Sequence, residues 1–121
     1  MDYKIGSIIG GVAIGVVISV LLLLKQKHDK GVYSQVTYEN LIAFAETCKR
    51  TFSIIVKSRV VCEKLDGGLY RITQIMLSDK GIAVRSGSGE IAGRIIKCRK
   101  VDEKIHALCN RNYPAEFDFC V

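Results

Sequence analysis

The sequence predicts an α+β protein: a single N-terminal transmembrane helix, then a small domain of an amphipathic helix, a four-strand antiparallel meander and a short C-terminal helix. Three observations predict it. Residues 5–24, IGSIIGGVAIGVVISVLLLL, run for twenty positions without a charge. Residues 38–52 repeat apolar side chains at helical spacing. Residues 53–77 are β-branched and alternating, broken by Asp66-Gly67-Gly68. The chain divides accordingly into a tail (1–4), the span (5–24), a basic linker (25–36) and the domain (37–121).

Twenty helical residues at about 1.5 Å each reach roughly 30 Å, the thickness of a bilayer's hydrocarbon core. A secretory signal peptide has a basic start, a shorter apolar run and a small-residue cleavage site. Here the start is Met-Asp-Tyr-Lys, and the run closes on Leu21–Leu24 and Lys25-Gln-Lys27, so the segment is expected to stay as an anchor. A buried core helix is disfavoured, because the 97 residues that follow are too few to wrap it. Lys25, Lys27 and Lys30 behind the span outweigh Lys4 and the amine ahead of it, which predicts a cytoplasmic C-terminal domain. Within the span, Ser7, Gly11, Gly15 and Ser19 recur every fourth residue, a stripe that lets two helix backbones approach closely. Self-association, or pairing with another membrane protein, is the expected use.

After the linker, Thr37 is the expected N-cap of a helix from Tyr38 to about Phe52. Tyr38, Leu41, Ile42, Ala45, Cys48 and Phe52 share its apolar face. Its polar face is mixed in sign, as suits a helix covering a sheet rather than a membrane. A strand follows from Ser53 to about Lys64, with Ile54, Val56, Val60 and Cys62 on one face. It turns at Leu65–Leu69 and returns as Leu69–Leu77, apolar on both faces and so central. Ser78–Gly81 is a turn, Ile82–Arg85 a short third strand, Ser86–Gly89 a loop, and Glu90–Lys100 a fourth strand with a bulge or bend at Gly93. Asp102 caps a helix from Glu103 to about Asn110. The last ten residues read as irregular or as an edge strand. The two helices are expected on one face of the sheet or at its ends.

Chemistry is hard to find in this pattern. Asp102 and Glu103 are adjacent and point about 100° apart on a helix, so they cannot bracket one atom. Cys98, His106, Cys109 and Cys120 hold a single tight pair, His106 and Cys109, where a zinc site asks for four converging ligands. No cofactor is expected. Ser86-Gly87-Ser88-Gly89 lacks the lysine and helix of a phosphate loop. Five cysteines without a C-x-x-C pair read as reduced core thiols.

The chain has 18 Lys and Arg against 12 Asp and Glu, and the excess lies after the span because Asp2 and Lys4 offset each other. Its densest basic run is Arg94, Lys97, Arg99 and Lys100. Beside a membrane such a run suits anionic headgroups or an acidic partner. No helix-turn-helix supports nucleic-acid binding. The sequence therefore predicts a non-enzymatic single-pass assembly or accessory protein that contacts the bilayer through Lys25, Lys27, Lys30 and that run. An extracytoplasmic binding domain held by disulfides, and a metal- or thiol-dependent enzyme component, are the alternatives.

Overall fold

A computed structural model describes residues 31–121. The expectations for the span, its small-residue stripe and Lys25, Lys27 and Lys30 fall outside those residues. Among the described residues no helix is long and apolar enough to cross a membrane.

The domain is α+β: a five-stranded mixed sheet with two helices. In chain order these are β1 (Val32–Tyr33), α1 (Tyr38–Thr51), β2 (Lys57–Lys64), β3 (Tyr70–Leu77), β4 (Gly93–Cys98), α2 (Glu103–Leu108) and β5 (Ala115–Cys120). The strand order is β1-β4-β3-β2-β5. The pairs β4·β3, β3·β2 and β2·β5 are antiparallel, and β1 joins β4 in parallel.

Helix α1 starts where its capping residue predicts. Thr37 Oγ1 accepts the Asn40 N–H at 3.1 Å, and Asn40 Oδ1 accepts the Thr37 N–H at 2.9 Å, a reciprocal box that satisfies two amides. Leu41 and Ala45 are its buried residues. The turn after β2 is as expected, with Gly67 and Gly68 at φ 80° and 78°, where a side chain would be strained. Strand β3 is central, and every residue from Ile72 to Leu77 is buried.

The four-strand meander needs correction in three places. First, β2 begins at Lys57, not Ser53. Phe52 accepts the Ile55 N–H in a tight turn, which leaves Ile54 and Val56 63% and 38% exposed while Val60 and Cys62 are fully buried. Second, Ile82–Arg85 forms no ladder. Leu77↔Ala83 and Arg85↔Ile91 are isolated bridges in an excursion over residues 78–92, pinched by the turns at Gly81 and Gly89. Ala83 and Arg85 bridge two different neighbours, one pair each, so no run of consecutive pairs builds a ladder. Third, the fourth antiparallel member is β5 at the C-terminal end, on the far side of β2. Strand β4 itself is shorter than expected. At its first residue, Gly93, an added Cβ would lie 2.2 Å from the Gln74 carbonyl oxygen, so the glycine serves a close backbone approach.

Both helices lie over one sheet face. Leu41 from α1 and Ile105 from α2 pack with Val60, Cys62, Ile72, Ile96 and Phe117, which the strand registers align on that side. Ile75, Leu77 and Ile95 point the other way, where Ile91 and Ala83 of the excursion pack on them.

Candidate functional site

The strongest functional geometry arises where the chain enters the domain. Residues 32–36 run parallel to residues 97–101. Val32 is in register with Lys97 and Tyr33 with Cys98, and Val36 bridges Val101. The Arg99 N–H donates to the Tyr33 carbonyl at 3.0 Å, and the Val36 N–H to the Lys100 carbonyl at 3.0 Å. Val36 is buried and serves as the anchor of this seam. Lys97, Arg99 and Lys100 therefore stand beside residues 32–36, the last part of the expected linker, and all three are exposed. Val32 and Tyr33 are exposed next to them.

The neighbouring charges are spent elsewhere. Arg71, beside Lys97 on β3, forms a two-pronged pair with Glu63 at 2.9 and 3.1 Å, which raises its pKa further. Arg59 pairs in the same way with Asp118, and Arg111 with Glu103. Among the described residues no acidic side chain forms a salt bridge with Lys97, Arg99 or Lys100. This edge keeps its positive charge facing solvent.

Arg94 does not belong to that edge. Three residues from Lys97, it points to the helix-covered face. Its Nε donates to Gln74 Oε1 at 3.3 Å, its Nη2 to the Asn40 carbonyl at 3.4 Å, and its guanidinium lies 4.2 Å from the Phe44 ring centre. Gln74, fully buried, donates in turn to the Leu41 carbonyl and Ser58 Oγ. Arg94 thus ties α1 to the sheet along a groove lined by Tyr33, Val36, Asn40, Phe44 and Ile96.

The metal candidates are dispersed. Cys98 and Cys109 are buried in the core under α2, whereas Cys120 is exposed at the end of β5. His106 Nδ1 is 2.6 Å from the Tyr113 hydroxyl, and the two rings pack with Tyr70. Burial pushes the Tyr113 hydroxyl well up. Among the described residues no three His, Cys, Asp or Glu side chains gather as a metal site.

Two groupings escape a reading of the sequence. Cys62 and Cys109 lie in one buried core under α2, where the neighbouring Cys109 and burial hold the Cys62 thiol up and the neighbouring Cys62 draws the Cys109 thiol down. On the other sheet face, burial raises the Glu116 carboxyl to about 7. Arg59 Nε is 3.1 Å from Glu116 Oε2, but its single N–H is given to Asp118, so Oε2 keeps an ionic contact without a hydrogen bond. The alternation of residues 115–120 hinted at the second grouping, since Glu116 and Asp118 share one face of any strand there. No local signal joins Cys62 to Cys109, 47 positions apart.

No protein-family model, curated protein or solved structure matches this chain.

Proposed function

We propose that the chain is a single-pass membrane protein with a cytoplasmic domain, an assembly or accessory component rather than an enzyme. Residues 5–24 span the bilayer, and the Ser7–Gly11–Gly15–Ser19 stripe pairs with a second copy or another membrane helix. The domain rests its basic edge on anionic headgroups. One observation carries this reading: the parallel seam between residues 32–36 and 97–101 sets Lys97, Arg99 and Lys100 beside the entering chain. That chain brings Lys25, Lys27 and Lys30 within a few residues of the same spot. Near an anionic leaflet each basic residue contributes about 1 kcal/mol, and a cluster of such residues acts together. Exposed Val32 and Tyr33 suit the headgroup boundary, where an aromatic ring with a polar tip is favoured.

The test is amine footprinting of the full chain in nanodiscs. Lys97 and Lys100 should be protected in discs containing phosphatidylserine and labelled in pure phosphatidylcholine. Protection should fade as salt shortens the Debye length. Equal labelling in both lipids overturns the headgroup reading.

A further inference from the structure

We propose that the open edge of β4 takes an extended acidic peptide from a partner protein as an added strand, seated in the groove between that edge and α1. This rests on the reading of the chain as an assembly component and names its partner's chemistry; it does not need the bilayer contact. Strand β1 pairs only with Lys97 and Cys98, the last two residues of β4. The Met76 N–H donates to the Ala92 carbonyl at 3.0 Å, so alternation along this antiparallel pair turns the main-chain groups of Gly93 and Ile95 away from β3. Arg99, of the same parity, gives its outward N–H to the Tyr33 carbonyl. Among the described residues no backbone group pairs with Gly93 or Ile95 on that side.

The edge is walled and already in shape. Two depressions of about 380 and 220 Å³ run beside it. Asn40 and Ile96 line the first, Thr51, Ala92 and Gly93 the second, and Phe44 and Thr47 line both. From Asn40 to Thr51 the helix rises about 16 Å, the length of roughly five residues of extended chain. Ile95 packs behind the edge with Ile75 and Leu77, which fixes its main chain, and a fixed edge loses little freedom when a strand is added. Alternate side chains of that strand would enter the groove over Phe44 and Ile96. The others would lie on the far face, beside Ile95 and Lys97.

Charge selects the occupant. Lys97, Arg99 and Lys100 close the β1 end of the edge, and among the described residues no acidic side chain forms a salt bridge with them. A carboxylate on the added strand opposite Ile95 is a diagonal neighbour of Lys97, within reach of a long side chain. The backbone of the occupant has to be extended, because only a strand matches outward N–H and C=O groups repeated at every second residue. Small β-branched side chains suit the groove positions and acidic ones the far face.

The experiment uses the full chain, isotope-labelled for amide NMR, in an uncharged detergent. It is titrated with the acetylated and amidated pentapeptide VEVEV, which sets a glutamate beside Lys97 in either direction. Saturable amide shifts should centre on Gly93, Ile95 and Phe44, and the peptide VKVKV should bind about tenfold more weakly. Two N-methylated copies of VEVEV, one blocked at the valine amides and one at the glutamate amides, should differ by about tenfold, because only alternate amides of a strand face β4. Thr47→Trp, a change on the exposed surface of α1 that narrows the groove, should also weaken binding. The absence of saturable shifts, shifts confined to Lys97, Arg99 and Lys100, or equal binding by the two methylated copies would each overturn the proposal. So would an Ile95 amide already protected from exchange before peptide is added, since residues 25–30 of the chain would then hold the edge. None of these readouts involves an anionic lipid, so failure of the headgroup contact is read separately.

Discussion

Glu116 is 2% exposed, on a strand whose other neighbours on that face are Asp118 and Cys120. Desolvation opposes its charge more than Arg59 favours it, and its carboxyl is raised to about 7. Below the ordinary glutamate pKa both the folded and unfolded chains hold this proton. Between about 4.5 and about 7 the unfolded chain releases it while the folded chain keeps it, so stability falls as pH rises through that window. The full loss, reached above about 7, is of the order of 3 kcal/mol at 1.36 kcal/mol per pKa unit. Glu116→Gln should therefore match the parent near pH 4 and exceed it in urea midpoint at pH 8. Equal midpoints at pH 8 would show that the buried carboxylate costs nothing. The residue pattern AEFDFC already announced which side chains share a face. It was silent on whether the acidic face lies inside, because the answer depends on Arg59, more than fifty residues earlier.

Elements were legible where their signals are local. Thr37 and Asp102 begin the two helices as capping chemistry requires, and the paired glycines make the β2–β3 turn. What escaped is long-range. Two-residue β1 has no periodicity to read, and its parallel partner lies 65 positions away. The excursion over residues 78–92 carries strand-like composition, but its bridges go singly to different partners and build no ladder. Asp102 shows how such distant links stabilise elements. Its Oδ1 accepts the Ile105 N–H at 3.0 Å at the start of α2, and its Oδ2 accepts the Tyr38 N–H at 3.0 Å at the start of α1. One carboxylate caps both helices. Asp102→Ala should cost about 2–3 kcal/mol, one cap plus one orphaned amide. Amide exchange should quicken at Ile105 and Tyr38 together. Asp102→Asn retains a single acceptor oxygen and should spare one of those amides. Slowed or unchanged exchange at Tyr38 in the alanine variant would refute the shared cap.

At the scale of the molecule, the proposed assembly depends on the span, and its chemistry can be tested without reference to the domain's core. Ser7, Gly11, Gly15 and Ser19 are spaced by four residues, which at 100° per residue advances the stripe about 40° per step. A stripe that slants in this way suits a right-handed crossing of two helices, with backbones near enough for dispersion and Cα–H···O contacts. An isoleucine side chain at Gly11 and Gly15 would hold the partner backbone away while keeping the segment apolar enough to insert. Amine crosslinking through Lys25 and Lys27 in dilute proteoliposomes should then fall by about tenfold, equivalent to roughly 1.4 kcal/mol of association, for the Gly11→Ile, Gly15→Ile chain. Exchanging Val16 and Val20, which helical spacing would set away from the stripe, for leucine should leave the crosslinked fraction where it was. If both variants crosslink like the parent, the span is an anchor alone. Any assembly would then have to come from the basic edge and the domain.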